Sequence, residues 1–110
     1  MSYWVEVTPE AQEEIDRYVL YLINEQQAPE TALRMLHRIE AEIASLVTFP
    51  HAGFRPPEDG HRDYLIRCRL VDHSLVLYHV DDDAKKVFVI GFRHGARLPH
   101  PEQLPKDPPG

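Results

Sequence analysis

The stretch Val87-Phe88-Val89-Ile90-Gly91-Phe92-Arg93-His94-Gly95-Ala96-Arg97-Leu98 decides the fold. Its first half is uncharged and rich in β-branched and aromatic side chains, which reads as a strand buried on both faces. The run then stops in arginine, histidine and glycine, so the strand carries cations to the rim of its sheet.

Two further strands lie just upstream, at residues 64–70 and 75–80. The turn at Asp72-His73 joins the first to the second, and the polar run from Asp81 to Lys86 joins the second to the strand at 87–92. Connections this short demand an antiparallel meander, because a parallel crossover needs a dozen residues or more. On the strand at 64–70, Tyr64, Ile66 and Cys68 share one face, and Arg67 and Arg69 share the other. The expectation is that helices cover the apolar face and leave both arginines on the open side.

Residues 2–7 alternate bulky and polar groups as a first strand. Thr8-Pro9 then opens a helix, with threonine suited to the N-cap and proline to the first turn. Glu10, Glu13 and Glu14 sit near the positive end of that helix's dipole. Ala11, Ile15, Tyr18, Val19 and Leu22 form its inward stripe. Pro29-Glu30-Thr31 opens a second helix with apolar positions Ala32, Leu36, Ile39, Ile43 and Leu46, the pattern of a long αα-hairpin. Phe49-Pro50 ends it, and residues 51–63, with two glycines and two prolines, read as a loop. The order is β-α-α-β-β-β, an α+β fold in which the hairpin packs on one face of a mainly antiparallel four-stranded sheet. Residues 1–98 make a single domain, and the Pro-rich residues 99–110 are expected to be a mobile tail.

Net charge is −6, yet its distribution is uneven. Residues 1–50 hold three basic and nine acidic side chains, whereas residues 51–110 hold nine of each. An acidic chain is a poor non-specific binder of nucleic acid. Seven histidines invite a metal reading, but none has His-x3-His or His-Glu-x-x-His spacing, so neither a metal nor a cofactor is expected. The lone Cys68 cannot pair within the chain, and no signal peptide or bilayer-spanning run is evident, which fits a reducing, cytoplasmic setting.

Five segments together carry a family resemblance: Val5-Glu6-Val7-Thr8-Pro9-Glu10-Ala11, Phe49-Pro50-His51-Ala52-Gly53-Phe54-Arg55, Tyr64-Leu65-Ile66-Arg67, Leu75-Val76-Leu77-Tyr78, and Val89-Ile90-Gly91-Phe92-Arg93-His94-Gly95-Ala96-Arg97. In their order and spacing the chain resembles the RelE/ParE superfamily of type II toxin–antitoxin toxins, and the ParE branch more closely. The resemblance implies a toxin neutralised by a cognate antitoxin of the ribbon-helix-helix type. ParE-like members act on DNA gyrase, whereas RelE-like members cut messenger RNA on the ribosome.

For target contact the candidates are Arg62, Arg67, Arg69, Arg93, His94 and Arg97, whose guanidinium forks and imidazole could meet carboxylate or phosphate. If the chain were a ribonuclease, His94 would be the general base, with Arg67, Arg69, Arg93 and Arg97 offsetting phosphate charge. That equipment is sparse: the only lysines are Lys85, Lys86 and Lys106, and the last tyrosine is Tyr78. A non-enzymatic gyrase inhibitor is therefore the leading expectation. The ribosome-dependent endoribonuclease and a non-toxic antitoxin-binding homologue are the alternatives. The first helix is apolar nearly all round at residues 18–23, which reads either as burial against the sheet and the next helix or as a partner groove; if Tyr18, Leu20, Tyr21 or Ile23 stay partly exposed, the antitoxin would dock there. Dimerisation through the hairpin is a further option, and no membrane partner is expected.

Overall fold

Thr8 sets the path of the chain after its first strand. Its extended backbone and its side-chain oxygen, which accepts a hydrogen bond from the Ala11 N–H at 3.2 Å, cap the helix behind it. The computed structural model describes residues 2–95 and 97–109, so Ala96 of the terminal motif lies outside the described residues. Its elements are β1 (Trp4–Val7), α1 (Pro9–Asn24), α2 (Pro29–Ser45), a 3-10 turn (Pro57–His61), β2 (Arg67–Val71), β3 (Ser74–Asp81), β4 (Lys86–His94) and a second 3-10 turn (Pro101–Gln103). The sheet order is β1-β4-β3-β2, with β1 parallel to β4 and the other pairs antiparallel. This is the α+β, β-α-α-β-β-β architecture expected from the periodicities. No helix among the described residues is long and apolar enough to cross a membrane.

The αα-hairpin covers one face of the sheet. Ala11, Ile15 and Leu22 of α1 and Ala32, Met35 and Ile39 of α2 pack on Val71, Val76, Tyr78, Val87, Val89 and Phe92. A bulge between Leu77 and Tyr78 sets two residues of β4 against one interval of β3, so Tyr78 pairs with Val89 and Leu77 with Gly91. The bulge restores the alternation in a shifted phase, and Phe92 therefore returns to the helix side.

The other face is where expectation and structure part. Tyr64, Ile66 and Cys68 join Leu75, Leu77, Phe88, Ile90 and Leu104 in a second core on the side away from the helices. Arg67 and Arg69, expected on the open side, share the helix side instead: Arg69 Nε pairs with Glu42 of α2 at 2.6 Å. Alternation told correctly which residues share a face, but both faces of this sheet are apolar and only packing assigns them. The strand expected from residue 64 begins at Arg67, because the preceding backbone is already committed. The Ile66 N–H donates to Asp59 Oδ1 at 2.7 Å, and the Leu65 carbonyl lies 2.8 Å from His79 Nδ1.

The Pro-rich segment expected to be mobile lies across that second core. Leu104 is buried in it against Gly91, where a Cβ would stand 3.0 Å from a Leu104 methyl. Burial of one such leucine contributes about 2 kcal/mol. Arg62 binds the carbonyls of Pro101, Leu104 and Pro105 at 2.7, 3.1 and 3.0 Å, and Tyr64 donates its hydroxyl to the Pro105 carbonyl. Proline-rich sequence forfeits N–H donors but keeps its carbonyls, and an arginine fork can hold those without any regular element.

Cys68 lies under this cover. Burial pushes its thiol up to about 12, with the nearby Glu58 carboxylate adding to the rise and Arg93 opposing it. A thiol held this far above neutrality has almost no thiolate. An aromatic disulfide reagent at pH 8 should leave the native protein unlabelled and label it fully in denaturant, whereas rapid native labelling would mean that the cover opens readily.

Candidate functional site

Beyond Val7, β1 no longer accompanies β4, and α1 takes over its flank. The last register pair is Val7 with Val89, and the Thr8 N–H closes on the Val89 carbonyl at 3.0 Å. Past that point Glu14 of α1 accepts a hydrogen bond from the Phe92 N–H, a carboxylate standing in for a missing strand. The space between helix and strand opens into a groove of about 560 Å³ lined by Glu14, Arg17, Tyr18, Tyr21, Leu22, Gln26, Phe92, Arg93, His94 and Arg97.

The groove is aromatic at its base and charged along its walls. The Tyr18 ring lies 5.4 Å from that of Phe92 and 6.1 Å from that of His94. Tyr21 is half-exposed, and its hydroxyl accepts a hydrogen bond from Gln26 Nε2 at 2.9 Å. Burial pushes the Glu14 carboxyl above the usual range, against the Phe92 N–H and the cations Arg17 and Arg97 that favour its charged form. Sequence reasoning assigned Glu14 only to the helix dipole. The signal for more was the early end of β1, which leaves a β4 donor for a helix side chain to meet.

The structure divides the six target-contact candidates. Arg93 is sealed by Glu58, with Nε 2.5 Å from one carboxylate oxygen and a terminal nitrogen 3.3 Å from the other. Their side chains are 12% and 2% exposed, which makes this a structural ion pair. Arg62 holds the C-terminal segment. Arg67 reaches the carbonyls of His51 and Gly53 at 3.4 and 3.3 Å, and Arg69 is shared between Glu42 and the Ala52 carbonyl. His94 and Arg97 lie together at the groove. Of the four antitoxin candidates, Tyr18 and Tyr21 line the same groove, whereas Leu20 and Ile23, 54% and 39% exposed, are not among its lining residues. Three target-contact candidates, Arg93, His94 and Arg97, and two antitoxin candidates, Tyr18 and Tyr21, thus share one cleft.

A second polar group lies elsewhere, where Asp82 accepts from Tyr3 Oη at 2.7 Å and lies 2.8 Å from His51 Nε2. The Tyr3 hydrogen bond and the His51 ring hold the Asp82 carboxyl below the usual range, with Asp82 and His51 exposed and Tyr3 half-buried. It ties the first strand, the loop after α2 and the β3–β4 turn together. Among the described residues no group of three or more His, Cys, Asp or Glu is placed to hold a metal ion.

Residues 5–99 match the family model described as the ParE toxin of type II toxin–antitoxin systems, parDE. The chain belongs to the ParE toxin family. Among solved structures, the fold is similar to a chromosomal ParDE toxin–antitoxin system from P. aeruginosa, with a TM-score of 0.61 and 17% identity over 84% of this chain and 96% of that one. It is also similar to the RelBE2 toxin–antitoxin complex from Mycobacterium tuberculosis, with a TM-score of 0.55 and 17% identity over 86% of this chain and 99% of that one. At such identities the likeness speaks for the fold alone. Among curated proteins none matches the chain significantly. As a ParE-family toxin fold, the chain combines the family's helical hairpin and sheet with a groove between α1 and β4.

Proposed function

We propose that this ParE-family protein is a toxin that acts by binding DNA gyrase and is neutralised by a cognate antitoxin docked at the α1–β4 groove. One observation carries the reading: of the four arginines a ribonuclease would use, Arg67, Arg69 and Arg93 are engaged by carboxylates or carbonyls of their own chain. Cleavage of RNA requires cations directed at the scissile phosphate, and three of the four are turned to the fold, which leaves Arg97 beside His94. A protein-binding surface needs only the aromatic and mixed-charge character of the groove. Purified protein should inhibit gyrase supercoiling or accumulate cleaved DNA at micromolar concentration. Cutting of ribosome-bound message with gyrase unaffected would replace this reading with the endoribonuclease.

Occlusion follows from the shared cleft, since an antitoxin segment on Tyr18 and Tyr21 also covers His94 and Arg97. Aromatic side chains at the centre of such an interface commonly contribute 2 kcal/mol or more, by the general rule for interface hot spots. Tyr21→Asp puts a charge in that position and is expected to weaken the toxin–antitoxin complex by about a hundredfold, some 2.7 kcal/mol. Titration calorimetry reads the loss, and an unchanged dissociation constant would move the interface elsewhere.

A further inference from the structure

The last turn of β4 and the segment behind it are tied together. Arg93, fixed by Glu58, donates from its other terminal nitrogen to the Arg97 carbonyl at 3.3 Å, and the Arg97 N–H closes on the His94 carbonyl at 3.0 Å. Arg97 is thereby held on its β4 side. On its other side the chain runs into residues 99–105, which Arg62 grips by three carbonyls and Leu104 pins over Gly91. Beyond these, the Tyr64 hydroxyl meets the Pro105 carbonyl, and Leu104 is the segment's one buried side chain among exposed or half-buried neighbours. Two internal N–H bonds shape it, Gln103 to the His100 carbonyl and Leu104 to the Pro101 carbonyl, both at 3.0 Å. A segment anchored by one leucine, one arginine and the Tyr64 hydroxyl on the Pro105 carbonyl is held in a single place yet depends on few contacts to stay there.

We propose that residues 99–105 form an intrachain strap, latched by Arg62, that positions Arg97 at the groove from behind, so that partner binding at the groove depends on strap docking. The idea rests on the groove being the antitoxin site. Arg62 touches no groove residue in this scheme; it acts through the strap and through Arg97, as a positioning residue. A carbonyl grip explains why the latch is an arginine, since one planar fork spans the three acceptors and a lysine ammonium does not.

The test uses the full chain with Arg62→Met, which keeps the apolar stem and removes the fork, and Arg62→Lys, which keeps the charge. Amide exchange at Arg97, Gln103 and Leu104 should accelerate at least tenfold in Arg62→Met, with β3 amides unchanged. The complex with the purified product of the adjacent reading frame should weaken about tenfold in Arg62→Met. In an Arg97→Ala background the same change should cost less than twofold, because the pathway to the groove is already cut. Arg62→Lys should fall near Arg62→Met in both readouts. Equal losses in both backgrounds, or an unchanged complex despite a loosened strap, would overturn the proposal. If the wild-type chain formed no complex, the antitoxin reading would fall, while unaccelerated exchange at the three amides would overturn the latch itself.

Discussion

Glu58→Ala is expected to destabilise the protein by about 3 kcal/mol, the largest effect anticipated for any single charge in the chain. Glu58 is 2% exposed and makes both contacts to Arg93, which is itself 12% exposed. Removing the carboxylate leaves a guanidinium in a desolvated site with no countercharge. The cost is thus the penalty of an orphaned cation, larger than the net worth of the pair. Replacing both residues with methionine, which restores apolar packing and removes both charges, should recover most of the loss. Urea denaturation of the two variants gives the comparison. A loss under about 1 kcal/mol for Glu58→Ala would mean that water reaches Arg93 and that the second core is open there.

Gly53→Ala ranks beside it, for a steric reason. A Cβ at Gly53 would lie 2.6 Å from the backbone oxygen of Cys68 and closer still to the Tyr78 hydroxyl. The obstruction is partly backbone, which cannot rotate away. The Gly53 N–H donates to Tyr78 Oη at 2.9 Å, and the neighbouring Phe54 pairs with Cys68 as an isolated bridge on the outer edge of β2. One added methyl therefore pushes the loop off the strand and breaks both contacts, at a cost of about 3 kcal/mol. The expected signature is a lower denaturation midpoint together with new reactivity of Cys68 in the native state. A midpoint equal to wild type would show that the loop shifts without penalty.

These two effects arise in one loop but on different sides of the sheet. Glu58 and Gly53 belong to the loop between α2 and β2, which the sequence marks only as irregular. In the structure the Glu58 part of this loop lies with the C-terminal segment on the sheet's second face and through Arg93 steadies the turn that carries Arg97, whereas Gly53 sits at the edge of β2 against Tyr78 of the helix-side core. The α1–β4 groove lies on the helix side, and its Arg93–Arg97 rim is fixed by Glu58 from the opposite side.

Several parts of this arrangement were legible from residue order. The Thr8-Pro9 cap, the apolar stripes of α1 and α2, and the short turns of the meander each depend on neighbours within a few residues, so local physics fixes them. The doubly apolar run at 87–92 likewise announced a central strand, and β4 does lie inside the sheet between β1 and β3. The candidate site was half legible: Tyr18, Tyr21, His94 and Arg97 could be named from residue type and position, but not their convergence.

What only tertiary structure decided is which partner each ambiguous residue meets. Period-two alternation groups Tyr64, Ile66 and Cys68 against Arg67 and Arg69, yet with both sheet faces apolar it cannot say which group the helices cover. The helices chose the arginine side, where Glu42 pairs with Arg69. The strap is the same case: prolines exclude helix and central strand, but whether their carbonyls meet water or Arg62 depends on a side chain about forty positions away. Sequence by itself therefore determined the elements and their order, because these arise from short-range sterics and periodicity. The faces, the buried ion pair and the groove required long-range packing, because the free energies separating those alternatives reside in contacts between segments that are distant along the chain.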